Sequence, residues 1–312
     1  MKNAIIVILI IFGLTNAGCD KFINGLVVDI DVPEQEPVLV PYCFIDGSDS
    51  EIKVYVQKSQ DILDSTNVEY IEDATVQLFK EGVFWKNLTR DVNLPKNPYT
   101  VLLDQPILFE GFGVSYELRV SAPGYETVTA TQIMPSLNTI VDVEFLRNAA
   151  SDFGELIDNA RITINDIPDE ENYYRVLLDI FEIGLIPNGD TVSEARSVGG
   201  QALANTESMS NALDGVVITD QLFDGERFIA DVGSVFSGST SSGTSEPITY
   251  SGTVEIRLLS ITRDEYLYQK SLYSYANAQE NPFTEPTLLY SNTSSGLGMF
   301  SMMMETKERF EY

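Results

Sequence analysis

The sequence predicts a mainly β protein, an antiparallel sandwich followed by a second β-rich region that carries one helix. Three observations lead there: short runs that alternate apolar with polar residues, turn-forming residues recurring between them, and a single segment with a helix start signal. In the run Ile52-Lys53-Val54-Tyr55-Val56-Gln57 the alternation is strict, which puts Ile52, Val54 and Val56 on one face. Thr75 to Leu78, Tyr99 to Leu103, Tyr116 to Val120 and Glu126 to Met134 continue the series. Between them stand Asp46-Gly47-Ser48, Glu81-Gly82, Pro95-Lys96-Asn97-Pro98 and Ala122-Pro123-Gly124, each able to reverse the chain.

A break at Pro135-Ser136-Leu137-Asn138 opens the second region. Val141 to Phe145 and Arg161 to Ile164 read as strands, and Ser251 to Ser260 alternates again. Tyr173 to Phe181 is apolar on both faces, as a central strand should be. Two stretches read as loops: Gly184 to Ser210 is polar and small, and Ser234 to Glu246 is almost all Ser, Gly and Thr, the pattern of a mobile insertion. Thr262-Arg263-Asp264-Glu265 is a capping box, with Ile261 and Tyr266 placed as its hydrophobic staple. Helical spacing of aromatic residues then runs to about Asn277. The resulting map has a leader over 1–18, a tether over 19–37, a sandwich over 38–135 and the β-rich region over 136–312, with its helix near 262–277.

The leader is legible in its own right. Met1-Lys2-Asn3 brings one positive charge, Ala4 to Leu14 is an apolar core, and Ala17-Gly18 precede Cys19. The apolar run is shorter than the roughly 20 residues that span a bilayer. Small residues directly before a cysteine resemble the lipobox of bacterial lipoproteins, although Asn16 stands where leucine is commonest; the resemblance implies a lipid on the Cys19 thiol. The following stretch, Asp20 to Pro37, is acidic and punctuated by proline, a spacer between membrane and fold in which only Phe22 to Ile30 could dock as an edge strand.

Composition narrows the chemistry. Of two cysteines, lipidation of Cys19 leaves Cys43 alone, inside the apolar run Val38 to Ile45 where a thiol is buried and inert. There is no histidine, which removes Ser-His-Asp and Cys-His catalysis and histidine-ligated zinc, iron or haem. No phosphate-cradling glycine motif follows a strand. A formal charge of -28 repels nucleic acid and anionic lipid headgroups. Carboxylate chemistry survives, since 47 acids leave room for a glycosidase-like pair, but no spacing singles one out. Asp46 to Glu51 clusters oxygen ligands without the spacing of a calcium loop, so a solvated turn is expected there. Asp64-Ser65-Thr66 and Asp190-Thr191-Val192 resemble the acceptor used for O-glycosylation in Bacteroidota.

The C-terminal segment joins these parts. Asn281-Pro282-Phe283-Thr284-Glu285-Pro286, Tyr290-Ser291-Asn292 and Gly296-Leu297-Gly298-Met299-Phe300 resemble the closing motif of a Bacteroidota lipoprotein family catalogued as domain of unknown function 4249. Ile52 to Ser59, Tyr116 to Tyr125 and Tyr173-Tyr174-Arg175 extend the resemblance along the chain. It implies that the sandwich is Ig-like, of the carboxypeptidase-regulatory kind. It also implies an outer-membrane lipoprotein that serves a TonB-dependent receptor as an accessory or cargo-binding subunit. Physically the motif reads as fold closure, with prolines fixing a turn and Gly296 and Gly298 permitting positive φ or close backbone approach. The expected function is non-catalytic, with no cofactor, no metal and no nucleic-acid partner, on either face of the outer membrane. The alternatives are an extracytoplasmic carboxylate-based glycan hydrolase and a surface adhesin or structural envelope protein.

Overall fold

The strand alternation organises the molecule into sheets whose inward residues make two apolar cores. The computed structural model describes residues 36–60, 67–150, 156–234, 236–241, 247–280 and 287–312. Cys19, most of the tether, Asp64-Ser65-Thr66 and Asn281 to Pro286 lie outside them. One compact unit runs from Pro37 to Tyr312.

The first core lies between strands β1 (Leu39–Asp46), β2 (Glu51–Lys58), β3 (Thr75–Lys80), β4 (Val83–Arg90), β5 (Tyr99–Leu102), β6 (Ser115–Ser121) and β7 (Val128–Ile133). They follow the order β1-β2-β5-β4-β3-β6-β7, and the sheet folds over so that β1 comes against β6 and one core lies between. The alternating residues of the sequence fill the space between: Ile52, Val54 and Val56 from β2, Val76 and Leu78 from β3, Leu118 and Val120 from β6. Cys43 sits there as a free, buried thiol, and burial pushes its pKa far up, so it is unreactive.

The second region adds β8 (Thr139–Ala150), β9 (Leu156–Asn165), β10 (Tyr173–Leu185), β11 (Thr191–Ser197), β12 (Gln201–Ala202), β13 (Met209–Asn211), β14 (Val216–Thr219), β15 (Arg227–Gly233), β16 (Phe236–Ser241), β17 (Thr249–Ile261), helix α1 (Arg263–Glu280) and β18 (Met299–Glu311). A four-stranded sheet, β12-β15-β9-β8, covers one face of β14-β10-β17. Helix α1 covers part of the other through Tyr266 and Leu267, which pack with Tyr173, Leu177 and Leu259. Strand β10 is therefore apolar on both faces because both are covered.

Two loop expectations are corrected. The stretch from Gly184 to Ser210 holds β11, β12 and the start of β13, and β11 pairs with β10 from Ile180 to Leu185. Within Ser234 to Glu246, Phe236–Ser241 pairs with β11. Small polar residues lack the apolar alternation that marks a strand, yet a sheet extension can form through main-chain pairing alone.

The two cores share β18. Tyr42 to Asp46 pair in parallel with Met299 to Met303, whereas β17 pairs antiparallel with Met303 to Glu311. Among the described residues every other pairing is antiparallel. Phe300, Met302 and Met304 enter the first core, while Phe310 packs on the second. Entry to β18 depends on Gly298, at φ 104°, where a side chain would place Cβ 2.3 Å from the Pro41 carbonyl oxygen. Gly298→Ala therefore combines backbone strain with a clash against main chain and should cost about 3 kcal/mol or more. Gly82→Ala, at φ 73° with open space around it, should cost only about 1 kcal/mol. Urea unfolding of the two variants checks the contrast.

Candidate functional site

The helix start signal sits at the seam between the two cores. The Thr262 hydroxyl accepts from the Glu265 N–H at 3.3 Å, as the capping box requires. Asp264 gathers three donors. Its Oδ1 accepts from the Tyr290 hydroxyl at 2.5 Å, and its Oδ2 accepts from Gln132 at 2.5 Å and from Asn292 at 3.2 Å. The Asn292 amide in turn brackets Phe300, donating to its carbonyl at 2.7 Å and accepting from its N–H at 3.0 Å. Ser294 exchanges hydrogen bonds with the main chain of Thr129, and the Ser295 hydroxyl donates to the Leu39 carbonyl. One loop thus laces α1, β7, β1 and β18 together. Burial and the Asp264 charge push the Tyr290 phenol up to about 12.

Glu265 departs from the capping-box expectation. Its carboxylate turns inward, 1% exposed, accepting from Gln269 at 2.7 Å with Arg175 at 3.9 Å. The Arg175 guanidinium also donates twice to the Asp214 carbonyl, at 3.0 and 2.9 Å. Burial raises the Glu265 pKa and lowers that of Arg175, each opposed by the charge of the other.

In front of this knot lies a cleft of about 510 Å³. Gln132 and Met134 form one wall, Glu170 to Tyr173 another, and Arg263 and Asp264 a third. Acids therefore stand on two sides, but both Asp264 oxygens are engaged, and Glu171 accepts from the Tyr173 hydroxyl at 3.4 Å. The lining offers hydrogen-bonding groups and one guanidinium around apolar surface, a combination suited to holding a polar ligand.

A second cluster escaped sequence reasoning. Asp166, Asp220 and Asp224 bring carboxylate oxygens within 4.8 Å of one another, the first two buried. Such an all-oxygen set is the chemistry of a hard divalent cation. Each carboxylate nevertheless anchors loop main chain or a phenol: Asp166 accepts from Tyr174 and from the Gly225 N–H, Asp220 from the Asn172 N–H at 2.7 Å, Asp224 from the Asp169 N–H at 2.9 Å. Burial, with the neighbouring charges of Asp166 and Asp224, raises the Asp220 pKa. Asp220 and Asp224 stand four residues apart, but Asp166 lies more than 50 residues before them, so no local spacing announced the set. Asp46 to Glu51, by contrast, forms the expected turn, between β1 and β2 and exposed at Ser48 to Ser50, with Asp46 accepting from the N–H and hydroxyl of Ser48. Asp190 and Thr191 lie exposed at the turn before β11. Gly296 and Gly298 both adopt positive φ.

Two stability predictions follow from these charges. A carboxyl whose folded pKa is raised contributes stability at low pH that is lost as pH rises through the folded value. Asp220→Asn, which keeps an oxygen for the Asn172 N–H, should therefore raise Tm by about 2 °C at neutral pH. The gain should vanish below the ordinary carboxylate range, and thermal melts across pH measure this. Arg175→Met should cost about 3 kcal/mol by stranding the Glu265 charge, and adding Glu265→Gln should recover much of that loss; a double-mutant cycle in urea tests it.

The family described as Domain of unknown function (DUF4249) matches residues 27–309. No curated protein and no solved structure matches the chain.

Proposed function

The chain belongs to the DUF4249 family, and from that premise we propose that it is a non-catalytic lipoprotein of the outer membrane. Acyl chains on Cys19 hold it there, and the folded unit works as an accessory or cargo-binding partner of a TonB-dependent transporter. The observation that carries this reading is Cys19 itself. It directly follows Ala17-Gly18 and stands 18 residues before Pro37, where the compact unit begins. Attachment through a lipid needs a spacer of this kind, and the acidic, proline-punctuated composition of 20–36 suits one.

Recognition is favoured over hydrolysis by the chemistry of the seam cleft. A glycosidase needs one carboxylic acid to give a proton and a second carboxylate free to attack or activate water. Asp264, the acid opposite Glu170 and Glu171, spends both oxygens on Tyr290, Gln132 and Asn292, which makes it a structural anchor.

Two measurements test the proposal. Cys19→Ser should abolish incorporation of labelled palmitate and shift the protein from the membrane to the soluble envelope fraction. Mild-detergent extraction of native membranes should recover the wild-type chain together with a TonB-dependent barrel; repeated recovery of the chain alone, with lipidation intact, would refute the partnership while leaving the anchor standing.

A further inference from the structure

The flank where β8 meets the C-terminal half of β18 carries two unpaired main-chain edges. Among the described residues β8 pairs with β9 alone, leaving its other edge open along the strand. Strand β1 ends at Asp46 opposite Met303, so beyond that point β18 pairs only with β17 among the described residues. Long open edges with apolar side chains are templates for another strand, and proteins normally cover or blunt them. Here Val141 is 44% exposed on the edge of β8.

Between the two edges runs a groove of about 390 Å³, floored by Val143, Phe145 and Phe310 and bordered by Asp142 and Glu308. The rings of Phe145 and Phe310 stand 5.9 Å apart, and the Thr306 hydroxyl donates to the Asn138 carbonyl at 2.8 Å, which fixes one end. Charge is sorted along this flank. Asp142 and Glu308 are exposed at the groove, while Glu144, also exposed, is not part of its lining and lies 3.9 Å from Arg161. The basic residue of β8, Arg147, is exposed but engaged: its guanidinium pairs with Glu182 and lies 4.8 Å from the Tyr312 ring. Lys307 and Arg309 alternate with Glu308 and so project from the opposite face of β18.

We propose that this flank is a docking edge for an extended peptide strand of a partner protein, one that alternates apolar with basic residues. A row of unpaired N–H and C=O groups is satisfied by an extended chain, apolar side chains fill the groove, and basic ones meet the acidic border. A second copy of this chain would bring its own Asp142 and Glu308, on a molecule of formal charge -28, against the same acids. The inference goes beyond the proposed transporter role and holds whichever protein owns the strand.

The test uses the full lipidated chain in detergent and a fluorescent synthetic peptide of about ten residues alternating lysine and valine, the length of a docked edge strand. Anisotropy should show saturable binding that weakens at least tenfold for the Asp142→Lys, Glu308→Lys double variant, whose fold is checked by circular dichroism. N-methylating alternate peptide amides in one register should abolish binding, and in the other register should leave it within threefold. The proposal is overturned by no saturable binding, by equal binding of a scrambled peptide of the same composition, by indifference to the charge reversal, or by equal tolerance of both methylation registers. A dimer in sedimentation that the Asp142→Lys substitution dissociates would also overturn it, by assigning the edge to a second copy.

Discussion

The parallel contact between β1 and β18 is the constraint on which the rest of the architecture depends. At its entrance the chain at Gly298 passes so close to Pro41 that a single added carbon would overlap the carbonyl. Past that point one strand contributes Phe300, Met302 and Met304 to one core and Phe310 to the other. A parallel pair cannot be closed by a tight turn and needs a long connection. Here the connection is almost the whole chain, so the first strand of the fold is completed by its last. Neither β1 nor β18 has its full set of partners until both cores are in place.

The polar groups at the seam serve the same closure. Asp264 joins the helix start to β7 and to the loop that leads into β18, and Asn292 holds the first residues of that strand in register. Asp264, one acid of the cleft, is therefore occupied in holding the join. Glu265 behind it is buried, with the Arg175 guanidinium 3.9 Å away as counter-charge and the Gln269 amide as hydrogen-bond donor. What the molecule leaves free is surface: a polar cleft in front of the seam and an open, acid-bordered edge on the second sandwich. Both suit binding.

Much of this was legible in the sequence wherever burial imposes a period. Ile52, Val54 and Val56, the two-sided run of β10, and the Thr262 cap with its Ile261 and Tyr266 staple all stand as read, because one covered face or one capped end fixes the residue pattern. The Gly296 and Gly298 reading also holds, since few other causes place two glycines beside a buried aromatic. What escaped carried no side-chain period or depended on partners distant in the chain. β11 and β16 are strands through main-chain pairing, in sequence without apolar alternation. The Asp166, Asp220 and Asp224 cluster and the parallel sense of β1 against β18 depend on which loops meet, and no local spacing encodes that. Glu265 shows the limit within a motif: the residue type marked the helix start correctly, yet its carboxylate serves the buried pair with Arg175.

Strand β18, by entering both cores, makes them one cooperative unit. Native-state hydrogen exchange of the β1 and β17 amides, followed through increasing subdenaturing urea, measures this most directly. The account predicts that the most protected amides of both strands merge onto a single opening with the same free energy and urea dependence. If the β17 amides open at a distinctly lower free energy while those of β1 stay protected, the two cores are independent and the account is wrong.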